Sequence, residues 1–114
     1  MMLPKEGHLL RIFVGESDRR DGKPLYEWLV LRAREQGLAG ATVLRGIEGF
    51  GADSRLHTAK ILRLSEDLPI VVEIVDTREK IEAFLPTVDE AVTEGLATLE
   101  RVEIRFYRGS RTGS

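Results

Sequence analysis

The chain lacks cysteine altogether and has no strong excess of either charge among its 114 residues. Without cysteine, disulfide bonds, thiolate catalysis and cysteine-ligated zinc or iron–sulfur centres are excluded. The 17 Lys and Arg residues nearly balance the 19 Asp and Glu residues, which leaves a net charge of -2. A dedicated nucleic-acid or membrane-surface binder normally carries a basic excess, so the composition argues against both functions.

Long hydrophobic runs are also missing. No segment approaches the roughly 18 consecutive apolar residues that a membrane-spanning helix needs, and the first residues, MMLPKE, lack the apolar centre of a signal peptide. We therefore expect no membrane insertion and a cytoplasmic location. The remaining composition, 42% hydrophobic and 32% charged, is typical of one globular domain over residues 1–114. We place its core at about 8–107, followed by a polar tail at 108–114.

Residue groupings that support catalysis or metal binding are not evident. His8 and His57 are the only histidines, and they lie far apart in the sequence. Ser17 has no neighbouring His–Asp pair to activate it as a nucleophile. We therefore expect neither an enzyme nor a metal site.

Hydrophobic periodicity predicts four strands and two helices. Strands are predicted at 9–14, 41–45, 69–75 and 102–107, where β-branched and aromatic residues concentrate. The first helix should begin with Pro24 at its first position, bury Leu25, Trp28, Leu29 and Ala33, and stop at Gly37. The second should be capped by Asp76 and Glu79, bury a stripe from Ile81 to Val92, and be kinked or split by Pro86.

The resulting order, β-α-β-β-α-β, is typical of a ferredoxin-like α+β fold. Right-handed crossovers place both helices on one face of a four-stranded antiparallel sheet. The chain contains no third helix to cover the other face. Yet the strand at 70–75 and the first strand are apolar on both sides, as in strands buried on both faces. We interpret this as a face covered by other copies of the chain; a weakly apolar, solvated face is the alternative.

The connection between the second and third strands runs from Gly46 to Leu68, far longer than a hairpin loop. Such excursions are often functional. Its glycines permit positive φ and close approach of a ligand, and backbone N–H groups beside arginine suit phosphate; a turn or bulge is the structural alternative. The candidate ligand-binding residues are Arg45, Gly46, Glu48, Gly49, Phe50, Gly51, Arg55, His57, Lys60 and Arg63.

Several segments resemble the PII-like domain-of-unknown-function family 190. They are LRIFVGESD at 10–18, GKPLYE at 22–27, GLAGATVLRGIEGFG at 37–51, HTA at 57–59 and LSEDLP at 64–69. The resemblance extends from about Leu9 to Tyr107. It implies a PII-type homotrimer in which the 46–64 loop corresponds to the signalling T-loop.

The resemblance also implies a function. PII proteins bind adenine nucleotides in clefts between subunits, through the T-loop base and the loop before the last strand, which here contains Gly95. That loop, residues 94–98, has no basic residue, which points to a smaller ligand such as AMP, or to none. The alternative is a ligand-independent interaction module whose loop docks on a membrane transporter or ion channel.

Overall fold

A computed structural model describes residues 5–50, 57–58 and 67–109. The longer strands are β1 (Glu6–Gly15), β4 (Thr42–Arg45), β7 (Pro69–Asp76) and β8 (Leu96–Glu103). The helices are α1 (Leu25–Glu35) and α2 (Arg78–Ala91). Two short ribbons accompany them, one formed by β2 (Arg19–Arg20) with β3 (Lys23–Pro24), the other by β5 (Glu48–Gly49) with β6 (His57–Thr58). No helix within the described ranges is long and apolar enough to cross a bilayer.

The main sheet has the strand order β4-β7-β1-β8, and every neighbouring pair is antiparallel. This order confirms the ferredoxin-like topology. Both helices pack on one face, where Ile12, Val72, Leu29, Ile81 and Phe84 are fully buried in a single core. The sheet side of that core consists of alternate residues of β1 and β7, since alternate side chains of a strand point to the same face.

Helix α1 buries the residues that the periodicity predicts, whereas in α2 the predicted Leu85 and Val92 are only partly buried. The buried residues of α1 are Leu25, Trp28, Leu29 and Ala33, as predicted. Gly37 follows with φ 78°, the left-handed conformation in which glycine commonly ends a helix. Pro24 is the N-cap residue, one position earlier than predicted.

The predicted boundaries of α2 were partly wrong. Thr77, not Asp76, caps the helix, because its side chain accepts a hydrogen bond from the backbone N–H of Lys80. Pro86 lies inside a helix that continues without interruption to Ala91. Its missing N–H would have paired with the carbonyl of Glu82, an exposed residue whose carbonyl can be satisfied by water.

The last strand was also misplaced. We predicted it at 102–107, from the alternation of apolar and polar residues, but β8 spans Leu96–Glu103. Pairing with β1 determines the position, since Phe13 lies opposite Leu96 and Glu6 lies opposite Glu103. After β8 the chain crosses the opposite end of the sheet, where the Ile104 backbone N–H donates to the Lys5 carbonyl and the Tyr107 hydroxyl donates to the Ala39 carbonyl at 2.8 Å.

The second face of the sheet, which we call the open face, has no helix of the described chain over it. Residues directly opposite each other in a sheet share a face, so the pairing defines rows across the strands. One row is entirely apolar and lies near the carboxyl end of β1; this apolar row consists of Leu44, Val71, Phe13 and Leu96. Leu44 and Leu96 are 48% and 57% exposed. The next row is polar and consists of Thr42, Glu73, Arg11 and Thr98.

Asp76, at the end of β7, is a fully buried carboxylate. It accepts hydrogen bonds from the backbone N–H groups of Ala39, at 2.8 Å, and Thr77, at 2.6 Å. The two bonds tie the segment before β4 to the start of α2. This role explains why Asp76 lies in the strand rather than at the helix cap.

Replacing Asp76 should therefore destabilise the chain more than replacing an exposed carboxylate. Asp76→Ala leaves two partly buried donors without their partner, which should lower the free energy of unfolding by about 2–4 kcal/mol. Asp89→Ala, at an exposed position of α2, should change it by less than about 0.5 kcal/mol. Urea denaturation at one protein concentration measures both, and equal effects would contradict the assignment.

Candidate functional site

The candidate site lies at one end of the main sheet. Because β1 and β4 run antiparallel to β7, the carboxyl ends of β1 and β4 meet the amino end of β7 there. The amino end of β8 lies at the same end, since β8 is also antiparallel to β1. We call this region the strand-end site. It contains the start of the long connection and, at the other edge of the sheet, Gly95.

Arg45 is the last residue of β4 and is held by an acidic neighbour. Its Nη2 donates to Oε1 of Glu16, which follows β1, at 3.0 Å. The Arg45 side chain is still 59% exposed. It therefore has guanidinium surface available to an anionic group outside the chain.

Gly46 and Gly49 are glycines because of a close packing contact. A Cβ on Gly46 would lie 2.7 Å from Cγ of Pro69, and one on Gly49 would lie 3.1 Å from the same atom. The Gly46 backbone N–H also donates to the Pro69 carbonyl at 2.7 Å. Neither glycine has positive φ. The positive φ that glycine permits is therefore not used at either position, and the close approach seen here is to Pro69 of the same chain.

The turn at 15–18 uses its own donors internally. The Gly15 N–H donates to Oδ2 of Asp18 at 2.9 Å, and the Ser17 N–H donates to Oδ1 of Asp67 at 2.6 Å. The Glu16 N–H donates to the Leu68 carbonyl at 2.9 Å. These three backbone N–H groups already donate to acceptors of the same chain, so they are not available to bind an anion.

The long connection leaves the sheet as a narrow ribbon. In it Glu48 pairs with Thr58 and Gly49 with His57. Ile47 and Phe50 are 77% and 76% exposed, so the base of the connection presents two apolar side chains to solvent. Of the other predicted site residues, Gly51, Arg55, Lys60 and Arg63, together with the side chain of His57, lie outside the described part of the chain.

Gly95 lies at the opposite edge of the sheet from Gly46. A Cβ on Gly95 would collide with the Phe13 carbonyl oxygen and would lie 2.9 Å from Cγ1 of Val92. The strand order separates β4 from β8 by three strand spacings, which is about 14 Å. Within one chain, the fold therefore does not bring Gly95 together with Arg45 and Gly46.

The described part of the strand-end site is acidic. Residues 15–18, 45–50 and 67–69 carry the four carboxylates of Glu16, Asp18, Glu48 and Asp67, against the single guanidinium of Arg45. A phosphate bound there would need further positive charge. Within the described residues, no group of three or more His, Asp or Glu side chains is arranged to hold a metal ion.

Sequence reasoning did not select Pro69 and Asp67, which organise this site. Pro69 packs against both glycines, and Asp67 closes the turn after β1. Their signal was present in the SEDLP segment at 65–69, directly before the strongest strand. Its importance becomes visible only when β1, β4 and β7 are brought side by side.

Solved structures share this fold. A PII-like signalling protein of Thermus thermophilus superposes with a TM-score of 0.62 at 21% identity, covering 87% of this chain and 89% of that one. CPII, a nitrogen regulatory PII-like protein from Thiomonas intermedia K12 bound to ADP, AMP and bicarbonate, gives 0.60 at 14% identity, covering 87% and 88%. The fold is that of the PII-like proteins.

Sequence comparison then assigns the family. Residues 7–104 match the family DUF190, described as an uncharacterized ACR. A UPF0166 protein of Aquifex aeolicus is 47% identical over 98 residues, covering 86% of this chain and 92% of that protein. The chain belongs to the DUF190 family, which confirms the resemblance drawn from the sequence segments.

The close contacts around Gly95 lead to a prediction about the free energy of unfolding. Gly95→Ala should lower the free energy of unfolding by about 1–3 kcal/mol, because the added methyl group meets a backbone carbonyl that cannot easily move. Gly40→Ala is the matched control, since a Cβ there has nothing within 4 Å, and it should be neutral or slightly stabilising. Thermal unfolding of both variants measures the difference. A neutral Gly95→Ala would show that the close approach is not required.

Proposed function

We propose that the protein is a PII-like regulatory protein of the cytoplasm that acts by binding rather than by catalysis. Three copies assemble through their open faces. An adenine nucleotide, AMP-like in charge, occupies each cleft between neighbouring copies. The 46–64 loop then relays the occupancy of the cleft to a partner protein.

This proposal rests on one observation: the residues of the strand-end site are divided between the two edges of the sheet. Arg45 and Gly46 lie at one edge of the sheet and Gly95 at the other, about 14 Å apart. The apolar row crosses the open face between them, directly beside the strand ends. If copies meet through that row, the Gly95 edge of one copy lies near the Arg45 edge of the next. Each pair of neighbours then completes one site.

The charge of the site favours a ligand with few phosphates. Arg45 is the one cation of the described strand ends and already pairs with Glu16. A triphosphate would add its charge to the four carboxylates of the described strand ends, whereas a monophosphate requires much less compensation. The exposed ring of Phe50 is a suitable surface for a base to stack on. CPII, which shares the fold, was crystallised with AMP and ADP, in accord with this ligand class.

A second candidate function rests on the exposed pair Ile47 and Phe50. Two large apolar side chains, each more than three-quarters exposed, are a feature of protein-docking surfaces. In this alternative the protein is a ligand-independent interaction module, and the loop docks on a membrane transporter or ion channel. The strand-end residues would then only support the loop.

Thermal shift with a nucleotide panel distinguishes the two functions. AMP or ADP at 100 times its Kd should stabilise the protein by about 2.7 kcal/mol, a shift of several degrees. Arg45→Ala should remove most of this shift, because it deletes the available guanidinium. Arg78→Ala, which breaks an exposed ion pair with Glu82 on α2, should retain it.

Two outcomes would contradict the nucleotide proposal. One is the absence of any shift with AMP, ADP, ATP and cyclic dinucleotides at millimolar concentration, which favours the interaction module. The other is an equal shift in wild type and Arg45→Ala, which places the ligand elsewhere on the chain.

A further inference from the structure

The base of the long connection presents two apolar side chains that the chain itself leaves in solvent. Ile47 precedes β5 and Phe50 follows it, and they are 77% and 76% exposed. For comparison, Leu31 on α1 is 41% exposed. Burying side chains of this size against another molecule is favourable. Two of them within four residues of a loop base therefore indicate an interaction surface.

The strand ends hold this segment in place. Gly46 and Gly49 both pack against the ring of Pro69, and the Gly46 backbone N–H donates to the Pro69 carbonyl at 2.7 Å. The pairing of β5 with β6 adds a second tie. Ile47 and Phe50 are therefore carried by a backbone that is already ordered, which lowers the entropic cost of binding a partner through them.

The surroundings of this apolar pair are negatively charged. The described strand ends carry four carboxylates against the single guanidinium of Arg45, which already pairs with Glu16 at 3.0 Å. Three negative charges are thus left without a compensating cation in that part of the chain. We call this surface the acidic base; it consists of Ile47 and Phe50 with the carboxylates of Glu16, Asp18, Glu48 and Asp67.

Two of these carboxylates are fixed by the turn after β1. Oδ2 of Asp18 accepts from the Gly15 N–H at 2.9 Å, and Oδ1 of Asp67 accepts from the Ser17 N–H at 2.6 Å. Neither hydrogen bond brings in a positive charge, so both carboxylates can still attract a cation from outside the chain. Glu48, which lies between the two apolar residues in the sequence, is exposed.

We propose that the acidic base docks a segment of a partner protein in which large apolar side chains alternate with lysine and arginine. This inference rests on the part of the proposed function in which the connection meets a partner. The apolar side chains of the partner cover Ile47 and Phe50, and its cations face the surplus carboxylates, which gives the contact its specificity. Segments of this composition are common in the cytoplasmic loops of membrane proteins, where lysine and arginine are in excess. The same negative charge opposes binding of nucleic acid and of anionic lipid.

A labelled peptide tests the class of partner. The probe is a fluorescein-labelled peptide in which leucine and phenylalanine alternate with lysine and arginine, and fluorescence anisotropy measures its binding to the wild-type chain. One control peptide replaces every cation by glutamate, and the other replaces every apolar residue by serine. Each control should bind at least about 10-fold more weakly, and binding of the first peptide should weaken as salt is raised. Equal binding of the three peptides, or no binding of the first, overturns the inference.

Matched variants locate the contact on the chain. The double variant Ile47→Ser with Phe50→Ser, and separately Glu48→Lys, should each weaken peptide binding by about 10-fold or more. Leu31→Ser on α1 and Asp89→Lys on α2 make the same kinds of change at other exposed positions, and both should bind as wild type does. Circular dichroism verifies that every variant is folded. Unchanged binding in the double variant or in Glu48→Lys overturns the inference.

The double variant also tests two other occupants of the acidic base. If it lowers the mass of the protein in sedimentation, a second copy covers the surface; if it abolishes binding to phosphatidylserine vesicles, a membrane does. Either result overturns the inference.

The nucleotide thermal shift of the wild-type protein separates this inference from the proposed function. An intact shift with AMP in a protein that does not bind the peptide rejects the docking surface alone. Specific peptide binding without any nucleotide shift rejects the nucleotide site and leaves the docking surface standing.

Discussion

The structure is dominated by one imbalance: its sheet has two faces, and its two helices cover only one of them. Two helices bury one face, where Ile12, Val72 and Phe84 lie in a closed core. The opposite face carries apolar side chains on all four strands, and in the described chain no element lies across it. Burying such side chains is worth about 1.5–3 kcal/mol each relative to exposure. The chain therefore has a strong physical reason to bury this face against something else, and another copy of the same chain is the simplest partner.

In the proposed function the same geometry connects assembly to ligand binding. Strand order places Arg45 and Gly95 at opposite edges of one sheet end, so a single site that contains both would form only across a contact between copies. The apolar row lies directly beside both parts. A ligand in the cleft would then stabilise the contact between copies, and that contact would form the cleft. Ligand binding and assembly would therefore be thermodynamically linked, each favouring the other. The long connection begins at this point, so under the proposed function it is the segment that would respond to occupancy of the cleft.

Local patterns predicted the elements well but not their exact ends. The apolar stripe of Leu25, Trp28, Leu29 and Ala33 predicted α1 correctly, because the helical period of apolar residues can be recognised from local sequence alone. The last strand was misplaced because pairing with β1, a long-range interaction, outweighed local alternation. For the same reason the sequence identified Gly46 and Gly49 but not the Pro69 ring that they contact. Which atoms approach a glycine is decided by the tertiary structure, so the contact with Pro69 could not be predicted from the sequence.

Burial of the open face between copies is tested most directly by the mass of the wild-type protein in solution at micromolar concentration, measured by light scattering during size exclusion. A homotrimer would have three times the 12.8 kDa chain mass and should dissociate only on strong dilution. A stable, folded species with the mass of one chain would leave Leu44, Phe13 and Val71 in water. That result would contradict both the covered face and the site that depends on it.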